Sequence, residues 1–325
     1  MRYLFVGDPH VTPNEIPDAE KLMEFIDKKL SSTEIDALVF LGDLFHSHGV
    51  VHLQVLNFWN TWLTRFSQRC QVISLVGNHD QDLKDPSLHA LKTLKQITVA
   101  DPVYQDDECL FVSYHGPKNQ DNFIDKCKMA QNKVLICHET FQGAQYDNGF
   151  YAKDGIEQEL IPNETIISGH IHTASKIGKV TYLGSPRWRT MSDANIKKAI
   201  YLIEIKDQKI VLIKPFSTGK VCTPIYKFSL PQDQKKYEAV KDSGAKIVVT
   251  VSGTEQQIEE IKLNLGPTDG VMVKENIVTD NSYKIKESMG VVSEFEKFKD
   301  TFADGKVLDK DYFDSAVDSR IISNL

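Results

Sequence analysis

Potential metal ligands follow five short apolar runs in this chain, and in four of them a glycine separates the run from the ligands. The run that ends at Val76 leads through Gly77 into Asn78, His79 and Asp80, which offer an amide, an imidazole and a carboxylate in consecutive positions. The same order occurs in the stretches LFVGDPH, LVFLGDLFH and IISGHIH, and VLICHE repeats it without the glycine. Each stretch alone would pass for an ordinary turn, but five together indicate one shared site.

The ligands in these stretches are carboxylate oxygens, an amide oxygen and imidazole nitrogens, with no thiolate. They are Asp8, His10, Asp43, Asn78, His138, His170 and His172. Such a mixture suits Mn²⁺, iron or Zn²⁺ better than Mg²⁺, which prefers oxygen ligands alone. Two divalent ions roughly 3.5–4 Å apart can hydrolyse a phosphate ester, because they activate water and clamp the attacking and leaving oxygens. The sequence therefore predicts a two-metal site at the carboxyl ends of strands, with Mn²⁺ as the expected cofactor.

Length and composition are those of an ordinary globular protein. A chain of 325 residues can bury a full α/β core and a second, smaller unit. The net charge of −7 argues against a protein that coats nucleic acid by electrostatics alone, since such domains are usually basic. Five cysteines without paired spacing indicate a reducing compartment. With no signal-peptide pattern and no apolar run near the roughly 20 residues of a membrane span, we expect a cytoplasmic protein without membrane contact.

Apolar runs alternate with helix-length stretches up to about residue 216, which predicts a layered α/β domain. Helices are expected over 18–30, 51–67, 88–96 and 121–130. After a polar stretch around Pro231, the pattern changes to a strand, a helix and a strand over 246–251, 254–265 and 271–277. Two further helices are expected over 291–302 and 310–322. The predicted domains are therefore a main domain (1–220), a small α+β domain (221–282) and a C-terminal helical segment (283–325).

The predicted helix over 51–67 has an unusually aromatic face. Phe58, Trp59, Trp62 and Phe66 lie on or beside one stripe of this helix. The stripe is expected to pack against the sheet. Two tryptophans and two phenylalanines in nine residues exceed what one face usually needs, so the helix is also predicted to form a homodimer surface.

The blocks DPH, GDLFH, GNHD, CHE and GHIH, in this order, resemble the metal-binding blocks of the calcineurin-like metallophosphoesterases over residues 1 to about 190. The resemblance implies an α/β fold with a layered β-sandwich core flanked by helices. It also implies an assignment of the ligands to two ions. One metal would be held by Asp8, His10 and His172, a second by Asn78, His138 and His170, and Asp43 would bridge both.

Within this family the chain resembles SbcD-type nucleases of double-strand-break repair and the recombination endonuclease subunits of large phages. Protein phosphatases carry Asp-Arg after the second block, where this chain has His46-Ser47. The resemblance implies that His79 contacts the scissile phosphate and assists the leaving group. Asp80 would orient the ring of His79, and His46 would lie beside the site and influence how DNA ends are processed.

The same resemblance implies an activity and partners. The chain would act on DNA in recombination and repair, as a 3′-to-5′ exonuclease on duplex ends and an endonuclease on single strands. Residues 221–282 would form a capping domain that helps to position DNA, and residues 283–325 would dock on a coiled-coil ABC-type ATPase that supplies much of the DNA grip. Arg187, Trp188 and Arg189 follow the last metal block and are candidates for contact with the DNA backbone. The alternative is that both arginines are surface charges over a packed tryptophan.

Two other functions compete with a nuclease. The first is a small-molecule or nucleotide phosphodiesterase of the same superfamily, in which the C-terminal unit is a lid. The second is a non-catalytic binding scaffold. A scaffold would be expected to lack metal ligands, and none of the seven is missing here.

Overall fold

Two six-stranded β-sheets face each other in the computed structural model, which describes residues 1–265 and 271–277. Their strands are β1 (Arg2–Val6), β2 (Ala37–Phe40), β3 (Gln71–Leu75), β4 (Thr98–Ala100), β5 (Val103–Gln105), β6 (Cys109–Val112), β7 (Val134–Cys137), β8 (Ile166–Ser168), β9 (Ser175–Ile177), β10 (Val180–Tyr182), β11 (Ala199–Lys206) and β12 (Lys209–Ser217). The first sheet has the order β12-β11-β1-β2-β3-β4, and the second has the order β5-β6-β7-β8-β10-β9. Strands β1, β2 and β3 are mutually parallel, as are β7 and β8, so the carboxyl ends of each group meet at one edge of their sheet.

Alternate residues of the central strands point to opposite faces, which divides the apolar core into layers. In β1, Tyr3 and Phe5 pack between the two sheets, whereas Leu4 and Val6 pack against the helices. Strand β7 divides its side chains in the same way. The predicted layered β-sandwich flanked by helices is confirmed.

Three α-helices cover the outer faces of the sandwich. They are α1 (Ile16–Ser32) and α2 (Leu53–Ser67) on the first sheet and α3 (Gln120–Cys127) on the second. The helix predicted over 88–96 is wrong, because a single 3₁₀ turn forms at Ala90–Thr93. Only Leu91 and Leu94 of that stretch are buried, and a spacing of three residues needs no more than one turn. Among the described residues, no helix is both long enough and apolar enough to cross a membrane.

The aromatic face of α2 is buried within its own chain. Phe58, Trp59, Trp62 and Phe66 are each at most 7% exposed. The indole N–H of Trp59 donates to the carbonyl oxygen of Leu44, and that of Trp62 donates to a carboxylate on α1. The rings are already buried, and the indole N–H groups already have acceptors. The high aromatic content of this helix is therefore not evidence for a homodimer surface, and the inference from it was wrong.

A third sheet follows the sandwich. It contains three parallel strands, β13 (Ile225–Leu230), β14 (Lys246–Gly253) and β15 (Val271–Ile277), with helices α4 (Gln234–Glu238) and α5 (Glu255–Leu265). These elements have an apolar core of their own, which includes Phe228, Val249 and Ile258. The segment 283–325 and the two helices expected there lie outside the described residues. The domain boundaries at 220 and 282 therefore stay predictions.

Candidate active site

The predicted ligand segments converge at one edge of the sandwich. Strands β1, β2 and β3 of the first sheet lead into Asp8, Asp43 and Asn78, and strands β7 and β8 of the second lead into His138 and His170. Asp8, Asp43 and His138 are at most 1% exposed. Both sheets therefore contribute to a single buried cluster of polar groups.

Glycines precede several ligands because the loops approach one another too closely for a side chain. A Cβ atom at Gly77 would lie 2.2 Å from Asp43 Oδ1. A Cβ atom at Gly169 would lie 2.6 Å from Asp8 Oδ1 and 2.9 Å from His138 Nδ1. No residue with a Cβ fits at either position without moving a predicted ligand. The recurring order of strand, glycine and ligand is thus a packing requirement of this site.

The residues predicted to hold the second metal lie in mutual contact. Asn78 Oδ1 is 3.0 Å from His138 Nε2 and 2.9 Å from His170 Nδ1. His138 Nε2 is also 3.3 Å from Asp43 Oδ2. His138 Nδ1 donates to the carbonyl oxygen of Leu41 at 2.7 Å, which leaves Nε2 facing the cluster. The structure therefore gathers one carboxylate, one amide oxygen and two imidazoles around a common point.

Two of the three residues predicted for the first metal meet beside Asp43. His10 Nε2 lies 3.0 Å from His172 Nε2 and 3.3 Å from Asp43 Oδ2. The two imidazole nitrogens are close enough to bind one cation together. Asp43 Oδ2 therefore lies within 3.3 Å of a histidine from each predicted set, which is the position that a bridging ligand needs.

Asp8 gives the strongest sign that a cation belongs here. Its carboxylate is fully buried, and neither oxygen has a hydrogen-bond partner among the described residues. The nearest ring nitrogen, His138 Nδ1 at 3.5 Å, donates its proton to Leu41 instead. A buried carboxylate without a partner is costly, and a metal ion removes that cost. The residues present fit a divalent cation.

Three predicted ligands also have a strained backbone. His10, Asp43 and His170 have φ angles of 43°, 52° and 73°. They are half of the six non-glycine residues with positive φ in the described part of the chain. This left-handed region is unfavourable for residues with a Cβ, and such strain concentrates at functional sites. The strain turns these side chains toward the common centre.

Two buried carboxylates favour positive charge at His138, whereas burial lowers the pKa values of His10 and His170. Burial and the neighbouring Asp43 carboxylate raise the pKa of Asp8 to about 6. Burial opposes ionisation of Asp43 as well, but the imidazoles of His138 and His10 hold its pKa well below the ordinary value. Burial would lower the pKa of His138, yet the carboxylates of Asp43 and Asp8 raise it to about 10. Metal binding at these carboxylates competes with that proton.

His79 is held with one ring nitrogen free. Its Nδ1 donates to the carbonyl oxygen of His46 at 2.6 Å, and its backbone N–H donates to Asp43 Oδ1 at 2.8 Å. A carbonyl oxygen only accepts, so the proton belongs on Nδ1 and Nε2 remains available to a substrate. The ring is stacked against His48, with centroids 4.2 Å apart. His79 is therefore placed to act as an acid or base beside both ligand sets.

The predicted role of Asp80 is wrong. Its Oδ1 accepts the backbone N–H of Phe45 at 3.0 Å, and its Oδ2 accepts the N–H of Gly77 at 2.9 Å. The ring proton of His79 goes to His46 instead. Burial and the Asp43 carboxylate raise the pKa of Asp80 to about 8. Asp80 therefore ties the loops after β2 and β3 together and does not orient the ring of His79.

His46 lies between the first ligand set and His79, as the resemblance implies. Its ring stacks on that of His79 with centroids 5.1 Å apart, and its Nδ1 is 3.4 Å from His10 Nδ1. Burial, reinforced by the positive charge of Arg189, lowers the pKa of His46 to about 4. An influence of His46 on the processing of DNA ends stays a prediction.

Arg187 and Trp188 are buried and cannot reach a DNA backbone, so this predicted contact is corrected. Arg187 is 1% exposed and donates to the carbonyl oxygens of Pro9 and His10, both at 3.0 Å. It thereby supports the strained backbone at His10. The indole of Trp188 is 7% exposed and packs in the core. Arg189 lies at the rim of the site, 3.3 Å from His46 Nδ1, and its contact with DNA stays a prediction.

Asp147 is a site residue that the sequence did not reveal. Its Oδ2 lies 3.3 Å from His172 Nδ1, and its Oδ1 accepts the hydroxyl of Thr173 at 2.8 Å. By fixing the Nδ1 side of the ring, it turns His172 Nε2 toward His10. Asp147 stands in the stretch QYDNG, which is ordinary turn composition, so its sequence context gave no signal.

Replacing Asp147 with Ala should weaken metal binding about 10- to 100-fold, the usual effect of losing a carboxylate that orients a histidine ligand. Titration calorimetry with Mn²⁺ on the purified chain measures this directly. Asp154→Ala is a matched control, because Asp154 is exposed on the same connection and contacts no ligand. Equal affinities of the Asp147 variant and the control would refute the positioning role.

A layered sandwich with ligand-bearing loops from both sheets defines a class of metal-dependent hydrolases. Residues 1–174 match the family described as calcineurin-like phosphoesterase. The chain belongs to the calcineurin-like phosphoesterase family, as the five sequence blocks predicted. It is accordingly a metal-dependent enzyme that hydrolyses phosphate esters.

Proteins of a virus and of a phage are similar to this chain in sequence. The chain is 27% identical over 267 residues to the putative phosphoesterase 244L of Invertebrate iridescent virus 6, which covers 74% of this chain and 92% of that protein. It is 24% identical over 150 residues to exonuclease subunit 1 of Enterobacteria phage T4, covering 43% of this chain and 44% of that one. Among solved structures, the Pseudomonas putida nuclease MPE aligns with a TM-score of 0.34 and 15% identity, over 66% of this chain and 87% of that one.

Proposed function

We propose that the chain is a two-metal DNA nuclease that acts in recombination and double-strand-break repair. It would degrade duplex ends from 3′ to 5′ and cut single strands internally. The observation that carries the proposal is a pair of clefts that border residues of the site. One cleft, of about 330 Å³, is lined by His79, and another, of about 490 Å³, is lined by His170. Two clefts give room for a substrate that extends beyond a single phosphate ester, as a nucleic-acid strand does.

The chemistry divides between the ions and the side chains. When bound, two divalent cations would supply an activated water and a clamp on the phosphate oxygens. One would be held by Asp8, His10 and His172, the other by Asn78, His138 and His170, and Asp43 would be shared. In its imidazolium form, His79 would contact the scissile phosphate and donate the Nε2 proton to the leaving oxygen, which would return the ring to its neutral form with the proton on Nδ1. We propose Mn²⁺ as the physiological ion, because the ligand set mixes carboxylate, amide and imidazole.

The clefts themselves offer little positive charge for holding DNA. Within the described part of the chain, the only lysines that line these clefts are Lys92 and Lys153, and each cleft is also lined by an aspartate, Asp82 in one and Asp154 in the other. A partner must therefore supply most of the phosphate contacts, and we propose that this partner is a coiled-coil ABC-type ATPase that docks on residues 283–325. The named viral and phage relatives suggest that the enzyme works in the cytoplasm of a host cell.

A second copy of the chain is the other proposed partner. Val50, Val51 and Leu53 are 56%, 42% and 75% exposed at the start of α2. These apolar side chains are where a homodimer along 51–67 would bury surface, in place of the aromatic face that is already covered. Sedimentation of the wild type and of Leu53→Glu tests this part of the proposal, since a dimer through this surface should dissociate in the variant.

Cleavage assays separate a nuclease from a small-molecule phosphodiesterase. The purified chain is incubated with Mn²⁺ and either linear duplex DNA, single-stranded DNA or bis-p-nitrophenyl phosphate, with and without the ATPase. We expect cleavage of the small ester and of both DNA substrates, with DNA cleavage increased by the ATPase. Turnover of the small ester without any DNA degradation, even with the ATPase present, would contradict the proposal and favour the phosphodiesterase.

A further inference from the structure

The connection after β7 contains a short hairpin over residues 144–152, in which Gln145 pairs with Tyr151 in antiparallel fashion. The backbone N–H of Tyr146 donates to the carbonyl oxygen of Phe150 at 2.8 Å, and the N–H of Ala152 donates to that of Ala144 at 2.7 Å. Phe141 and Ala144 are fully buried, and Ala152 is 5% exposed. The hairpin is therefore fixed to the second sheet by its inner side chains.

The outer side of this hairpin carries exposed aromatic rings. Tyr146 is 38% exposed, and Phe150 and Tyr151 are each 63% exposed. Three large aromatic side chains on one short hairpin are unusual at a surface that only meets water, because each leaves apolar area unburied. Their exposure indicates a ligand with apolar faces.

Two of these rings line the 490 Å³ cleft at the metal cluster. Tyr146 and Tyr151 border this cleft together with Tyr114 and His170. The ring of Tyr114 stacks on that of His170, with centroids 5.7 Å apart and planes 21° apart. Asp147, next to Tyr146, holds the hairpin against His172. Two exposed tyrosines of the hairpin therefore share one cleft with a predicted metal ligand and with the tyrosine that stacks on that ligand.

The charges around the cleft do not favour a second phosphate group. Lys153 and Asp154 balance each other at its edge. One oxygen of the buried Glu139 carboxylate accepts the N–H groups of His115 and Gly116 at 2.5 and 3.1 Å. A volume of about 490 Å³ lies within the range of sites for small organic groups, roughly 300–1,000 Å³. The chemistry that fits is a flat, uncharged ring system.

We propose that the cleft binds an unpaired nucleobase of the substrate strand, on the nucleotide next to the scissile phosphate, by stacking on Tyr146 and Tyr151. This inference rests on the proposed cleavage of DNA. A base that is paired and stacked within a duplex cannot enter the cleft, so the cleft selects strands with an unpaired nucleotide at the cut. Stacking on aromatic side chains does not depend on the identity of the base, so the selection is for strand structure and not for sequence.

Aromatic substitutions test the proposal in the full-length chain with Mn²⁺. Tyr146→Ala and Tyr151→Ala should each lower kcat/KM for single-stranded DNA about 5- to 150-fold, as expected for the loss of one stacked base. Cleavage of a strand with an abasic nucleotide beside the cut should stay within about two-fold of the wild type on that strand, since it offers no base to stack on either tyrosine. Tyr151→Phe keeps the ring and should keep the activity. Phe150→Ala is the matched control, because Phe150 is equally exposed on the same hairpin but does not line the cleft.

An abasic substrate identifies the group that is bound. The wild type should cleave a strand with one abasic nucleotide beside the cut as slowly as Tyr151→Ala cleaves the intact strand. Tyr151→Ala should cleave the abasic strand at that same rate and no more slowly. Additive losses would overturn the proposal. So would a loss on the abasic strand as large as that on the intact strand, when each variant is compared with the wild type on the same strand, because the hairpin would then act only through the metal site.

Binding without cleavage gives a second readout. In a His79→Ala background, the fluorescence of a strand that contains 2-aminopurine should be quenched on binding, and Tyr151→Ala should relieve the quenching. No change in quenching would overturn the proposal. A wild type that hydrolyses the small ester but cuts no DNA of any kind would instead refute the proposed function, so the two failures are distinguishable.

Discussion

Replacing His79 with Ala is expected to lower the rate of phosphodiester cleavage about 10²- to 10⁴-fold, the usual contribution of a positioned acid or base. Nδ1 of His79 donates its hydrogen bond to the carbonyl oxygen of His46. Nε2 is therefore the ring nitrogen that can transfer a proton to the leaving oxygen. The side chain of His79 contacts none of the seven ligands through a ring nitrogen. Metal occupancy should therefore be nearly unchanged. Steady-state hydrolysis of bis-p-nitrophenyl phosphate, together with metal analysis of the same sample, measures both effects.

His89→Ala is the control for this experiment. His89 lies in the same cleft but binds Asp101 at 3.0 Å, away from the ligands. Its replacement should leave the rate within a few-fold of the wild type. Unchanged activity of His79→Ala would show that another group protonates the leaving oxygen. A large loss of metal in that variant would show that His79 supports the ligands and not the chemistry.

Replacing Asp43 with Ala should remove both ions at once. Its Oδ2 lies 3.3 Å from His10 Nε2 and 3.3 Å from His138 Nε2, so each predicted set would lose the ligand that they share. The affinity for both ions should fall by more than about 100-fold, beyond the effect of losing an orienting carboxylate, and activity should fall to background. Equilibrium dialysis against Mn²⁺ followed by elemental analysis measures the stoichiometry.

Two controls keep this result interpretable. Asp82→Asn changes a half-buried carboxylate of the neighbouring cleft that accepts the backbone N–H groups of Lys84 and Asp85, and this variant should retain two ions per chain. Circular dichroism and thermal melting then establish that the Asp43 variant is folded. A folded Asp43 variant that retains one tightly bound ion would contradict the bridging role and leave two independent sites.

The sequence predicted the structure best where a local pattern of residues had only one structural interpretation. The apolar run LFV before Gly7 indicated a strand that leads into the site, and the repeated glycine before Asp43, Asn78 and His170 marked the loops that meet. Contacts between loops that are far apart in the chain require these glycines, but each glycine can be seen in the sequence directly before its ligand. The ligand candidates could therefore be read from five separate stretches.

Side-chain contacts that depend on tertiary packing could not be predicted from the sequence. Asp80 follows His79 directly, yet its carboxylate meets the N–H of Phe45, because the loops after β2 and β3 lie side by side. The sequence around Arg187 did not indicate burial. In the structure, the loop at His10 covers its guanidinium group and provides carbonyl acceptors. Asp147 reached His172 across a hairpin whose shape depends on buried side chains. In each case the neighbour was set by tertiary packing and not by spacing along the chain.

The central claim is that segments from both sheets hold a pair of divalent cations at one edge of the sandwich. Crystals of the full chain grown with Mn²⁺, measured at the manganese absorption edge, test it most directly. We predict two anomalous peaks roughly 3.5–4 Å apart, with the Asp43 carboxylate between them. A single peak, no peak, or two ions bound elsewhere than at Asp8, Asn78 and His170 would contradict it.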